Sequence, residues 1–153
     1  MGLDMYLHRK TDVKNWNFTL PEDRNEIIIQ KGGVINKNIQ VERVTEIVED
    51  VVYWRKANQI HAWFVANVQD DVDDCKEHYV EQEKLKELLE LCKQVQADHS
   101  LAEELLPTES GFFFGSTEYD EYYFADIKDT IEELEKILAE NKENSNFYYR
   151  SCW

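Results

Sequence analysis

From Gln82 to Ala97 the apolar residues fall on one helical stripe. Leu85, Leu88, Leu89, Cys92 and Val95 share a face, with Glu and Lys elsewhere. A helix with one apolar stripe is marginal alone and needs a second layer to cover it. The first residues offer that layer. Leu3, Met5 and Leu7 alternate with Asp4, Tyr6 and His8, which predicts a strand with one buried face.

Two further helices are expected. Residues 54–68 gather Ala57, Ile60, Phe64 and Val68 on one stripe. Tyr123, Ile127, Ile131, Leu134 and Leu138 define a long helix ending near Asn141. Thr117 and Asp120 have capping-box spacing before it, and Glu118, Asp120 and Glu121 suit its N-terminus electrostatically. LAEELL, stopped by Pro107, is a short helical turn.

Further strands are expected elsewhere. NEIIIQKGGVIN (25–36) reads as a hairpin about Gly32-Gly33, after a loop broken by Pro21. Residues 40–53 are β-branched like a strand but spaced like a helix, and read as a strand through about Val48. KEHYV is a short strand, and NFYYRSCW closes the chain as another. The sum is one α+β domain over 1–153, a small, mostly antiparallel sheet with about three main helices packed on one face.

Charge divides the chain. Residues 1–69 hold nine acids and nine bases, whereas residues 70–143 hold 23 acids and 7 bases, of a net −15 overall. A half-domain of one sign repels nucleic acid and membrane surfaces and attracts basic partners. With 42% apolar residues the chain folds rather than stays disordered. No apolar run is long enough to span a membrane, and the N-terminus has no signal-peptide pattern. Three widely spaced cysteines, Cys75, Cys92 and Cys152, fit reduced thiols. A cytoplasmic location is therefore expected.

Two constellations stand out. On the helix expected at 54–68, His61 points to the apolar side and Asn58 to its margin, while Trp63 faces away. With Trp54 and Arg55 they form a polar edge able to hold an anion or a planar ligand, closed by the aromatic segment. Trp63 is expected to be exposed and to make contacts. The second constellation is GFFFGSTEYDEYYF (111–124), with seven of the chain's nineteen aromatics. Alternation pairs Phe112 with Phe114 toward the core and leaves Phe113 outside. Tyr119 marks the edge of the next helix's apolar stripe, and Phe113 and Tyr122 are surplus to the core. Surplus rings within an acidic rim (Asp70, Asp71, Asp73, Asp74, Glu118, Asp120, Glu121) suit a protein-binding patch.

Catalytic and metal signals are weak. DDVDDC lacks the glycine and terminal Glu of a calcium loop. Cys75 and His78 have no matching second pair of ligands. Phosphate-loop, GxGxxG, GxSxG and HExxH patterns do not occur, and Ser116 reads as a cap. Neither a cofactor nor a metal is expected. A small hydrolase centred on His61 is a lower-ranked expectation, which His61→Ala would test by abolishing turnover in a folded protein.

GLDMYL, YWRKANQIHAWFVANVQDDVDDC (53–75), and SGFFFGSTEYDEYYF with the DIKDTIEELEKIL helix together resemble a family of small tailed-phage and prophage proteins. The likeness covers most of the chain and is weakest over 12–40. One departure is Glu81, where a Ser or Thr cap is expected. The resemblance implies a bacterial cytoplasm and a host-takeover or anti-defence role, and brings no catalytic residue with it. The expected function is non-catalytic binding and inhibition of a host or defence protein with a basic groove. The alternative is a pocket that sequesters a nucleotide or similar small anion.

Overall fold

A computed structural model describes residues 2–140 and 142–153. The alternation at the N-terminus becomes β1 (Asp4–Asp12), the second strand of a four-stranded antiparallel sheet. The hairpin about Gly32-Gly33 forms β2 (Gln30–Lys31) and β3 (Val34–Ile35), a separate two-stranded ribbon. Both glycines sit at positive φ, as its tight turn requires. The remaining strands of the main sheet are β4 (Glu46–Arg55), β5 (His78–Val80) and β6 (Ser145–Cys152), in the order β4-β1-β6-β5.

Three principal helices cover one face of that sheet: α1 (Asn58–Val68), α2 (Gln82–Ala97) and a long C-terminal helix (Glu121–Ala139). A four-residue helix, α3 (Ala102–Leu105), precedes the last of these, which is therefore α4. The fold is α+β, as the sequence pattern implies. Asn141, where periodicity ends the last helix, lies outside the described residues. Met5, Leu7, Val52, Trp54 and Tyr149 point from the sheet into a core shared with Phe64, Leu85, Leu88, Ile127 and Leu134. Phe64 stacks on Tyr149 at 3.9 Å between ring centroids. Among the described residues no helix is long and apolar enough to cross a membrane.

Five local expectations need correction. The strand expected to stop near Val48 begins at Glu46 and runs to Arg55, because Met5 to Thr11 of β1 need a partner along their length. A β-bulge at Val51 absorbs the mixed periodicity, since Leu7 faces Val52 and His8 faces Asp50. Trp54 and Arg55 are therefore strand residues, and α1 begins only at Asn58 after Lys56 turns the chain at φ 58°. The helix at 121 is capped by Asp120 itself, which accepts from the Tyr122 and Tyr123 amides, rather than by a Thr117–Asp120 box. Ser116 caps no helix and accepts from the Glu118 amide in a local turn. On α4 the buried stripe includes Thr130 and Ile137, while Ile131 and Leu138 are half-buried. Glu81 precedes α2 without a side-chain cap.

Candidate functional site

The expected polar edge of Trp54, Arg55, Asn58 and His61 does not form. Being on a strand, Trp54 is buried and its indole N–H donates to Thr130 Oγ1 at 2.9 Å, tying the sheet to α4. Arg55 is exposed and pairs with Asp4 at 2.9 Å. Only Asn58 and His61 belong to α1, and both are enclosed.

Asn58 acts as a clamp. Its amide donates to the Phe114 carbonyl at 3.1 Å and the Ser116 carbonyl at 2.9 Å, and its carbonyl accepts from the Glu109 amide at 3.0 Å. One side chain thus fixes both ends of the loop from Glu109 to Ser116. Further anchors lie alongside. Tyr119 Oη accepts from the Thr108 amide, and the Tyr123 hydroxyl donates to the Leu106 carbonyl. Tyr119 is half-buried and serves the loop from behind rather than as an exposed contact.

His61 sits in a buried chain of hydrogen bonds. Its Nε2 lies 2.9 Å from Asp73 Oδ2, and its Nδ1 lies 2.7 Å from the Tyr149 hydroxyl. A carboxylate only accepts, so Nε2 carries a proton, and in the neutral ring Nδ1 then accepts from Tyr149. Burial raises the Tyr149 phenol well above its ordinary pKa and keeps that proton in place. The second Asp73 oxygen accepts from the Trp153 indole at 3.0 Å. Both imidazole nitrogens are therefore spoken for, and the chain's effect is to hold Asp73 and Trp153 in position.

Trp63 is buried, 7% exposed, contrary to its place opposite the stripe. The first turns of α1 pack well beyond their apolar stripe: Asn58 to His61, Trp63 and Phe64 are buried, and only the Ala62 flank opens to a hollow. Trp63 meets Phe64 edge-on at 5.2 Å. In the aromatic segment, the pairing of Phe112 with Phe114 also fails. Phe113 adopts φ 64°, and the Phe114 amide closes a turn onto the Gly111 carbonyl at 3.2 Å. The turn sends Phe114 inward and leaves Phe112 78% and Phe113 43% exposed. A side chain at Gly111 would lie 2.5 Å from the Phe114 ring, so this close approach admits only glycine. Tyr122 is exposed, as its position on α4 implies.

These elements enclose a cleft of about 660 Å³ between α1, the Asp71–Asp73 turn, the 105–114 loop and Trp153. Ala62 and Ala66, one turn apart on α1, supply the hollow. Trp63, Phe112, Phe114 and Trp153 line it, with Phe114 and Trp153 edge to face at 6.2 Å. Asp71, Asp73 and Glu109 also line it, and no Lys or Arg does among the described residues. Phe112, Glu109 and Trp153 escaped the sequence reading as site residues. The visible signal for the hollow was the Ala62–Ala66 spacing on an otherwise bulky helix.

The other acidic residues serve varied ends. Asp74 pairs with His78 at 2.8 Å, a hydrogen bond that holds its carboxyl down to about 2. Asp70 and Asp71 carry the chain through positive φ after α1, and Glu118 and Glu121 are exposed beside the Asp120 cap. Among the described residues no group of three His, Cys, Asp or Glu side chains is placed to hold a metal ion. No protein-family model, curated protein or solved structure matches this chain.

Proposed function

We propose that this chain is a non-catalytic phage or prophage protein that acts in the bacterial cytoplasm by binding and inhibiting a host or defence protein. The observation that carries the reading is the cleft beside α1, ring-walled, bordered by carboxylates and, among the described residues, free of lining Lys and Arg. Such a cleft suits a basic partner, because buried rings supply contact area while the acids steer encounter. Exposed Phe112 and Phe113 extend the apolar surface at its mouth. The lining opposes an anionic ligand such as a nucleotide. His61, with both ring nitrogens engaged, supports a structural role over a hydrolytic one.

The test is affinity capture from phage-infected or prophage-bearing cells, followed by association kinetics with the captured protein. The expected result is an on-rate that falls at least about tenfold between low and physiological salt. An on-rate indifferent to salt contradicts acidic steering.

A further inference from the structure

We infer that the cleft receives an arginine side chain of the partner, its guanidinium held among the four rings and the carboxylates. This inference rests on the proposed binding function and specifies what the partner must present. Three features favour a planar cation. First, Trp63, Phe112, Phe114 and Trp153 offer ring faces and edges within one cavity, and guanidinium stacks on such rings better than ammonium does. Second, among the described residues the carboxylates of Asp71, Asp73 and Glu109 face no lining Lys or Arg that would neutralise them.

Third, Asp73 is already positioned. His61 and Trp153 each take one of its oxygens, and a carboxylate retains further lone pairs for a guanidinium fork. Its side chain stays partly open to solvent, so an incoming donor reaches it. The volume of about 660 Å³ exceeds one side chain, which leaves room for the backbone flanking the arginine. The other apolar surface, over residues 14–48, has a hollow of about 550 Å³, but Lys14 and Arg24 line it beside Glu26 and Glu42 and no aromatic ring does, so nothing there selects a planar cation.

Chemical-shift mapping with N-acetyl-arginine amide tests the inference, with the neutral isostere N-acetyl-citrulline amide as control. The expected result is saturable shifts of the Trp63 and Trp153 indole signals and the Ala66 amide. Citrulline should bind at least about tenfold more weakly, since it lacks the charge. Ala66→Leu, at an exposed helical position, should fill the hollow and abolish the shifts while the protein stays folded. Equal binding of the two probes, no saturable shift, or shifts that survive Ala66→Leu would each overturn the inference. Those results leave the docking reading intact if the captured partner still binds. Arginine binding with a partner insensitive to Ala66→Leu would instead refute the docking reading.

Discussion

Two stretches of this molecule expose many apolar side chains, and they are built in opposite ways. Over residues 14–48 no side chain is buried, and Phe18 and Ile28 are 81% and 73% exposed. Before it joins β4 at Glu46, that arm is held mostly by local bonds. Asn25 and Asn15 exchange hydrogen bonds, the Asn25 amide reaches the Val13 carbonyl, and Lys14 lies over Trp16. The loop over residues 105–116 is held instead from the core, by Asn58, Tyr119 and Tyr123. Exposure alone therefore does not make a binding surface. The arm's hollow of about 550 Å³ has no ring in its wall and is lined by Lys14 and Arg24, whereas the loop sets rings of fixed geometry around its hollow, with the ordering cost already met during folding.

The largest expected effect comes from removing the clamp. Asn58→Ala leaves two carbonyls and an amide without their partner and opens a small void, at a cost of about 2–3 kcal/mol. The corresponding change in the arm, Asn25→Ala, should cost less than about 1 kcal/mol, because water replaces its partners. Chemical denaturation of the two variants measures the contrast, and similar losses would erase it.

A smaller effect, with a pH signature, is expected behind the cleft. Burial raises the Asp126 carboxyl to about 6, partly offset by a hydrogen bond from Gln59, which also lines the cleft. The folded form then holds this proton more tightly than the unfolded chain. Its contribution to stability is present below about pH 4 and is lost as pH rises to about 6. Asp126→Asn should flatten that slope and stabilise the protein at pH 7 by about 1–2 kcal/mol, after discounting for solvent access. Melting temperatures measured from pH 4 to 7 would reveal it. A destabilised variant would mean that the ionised carboxylate holds Gln59 in place.

Elements with a clean period were legible in the sequence. Leu3, Met5 and Leu7 alternate, and Leu85 to Val95 repeat helically, because each element buries one face only. Where a segment has two buried flanks, or meets a bulge, the period misleads. Trp63 lies opposite the stripe yet is buried because α1 packs beyond one face, and the helical spacing expected from Trp54 begins only at Asn58 because β4 runs on to Arg55. The single positive φ at Phe113 breaks the alternation, so Phe112 is exposed along with Phe113. The cleft itself was hidden because its walls come from distant positions. Nothing local links Asp73 to Trp153, and Asn58 was recognisable as important but not as a clamp. The acidic bias over 70–143 was visible directly from composition, though its individual carboxylates divide among capping, pairing and the cleft.

The most direct test compares two single substitutions in binding to the captured partner, Ala66→Leu in the cleft and Phe18→Ser in the arm. Both positions are exposed, so both variants should fold. The expected result is a loss of affinity of at least about tenfold for Ala66→Leu and less than about twofold for Phe18→Ser. Undiminished binding by Ala66→Leu, with loss in Phe18→Ser, would contradict the account and move the docking face to the arm.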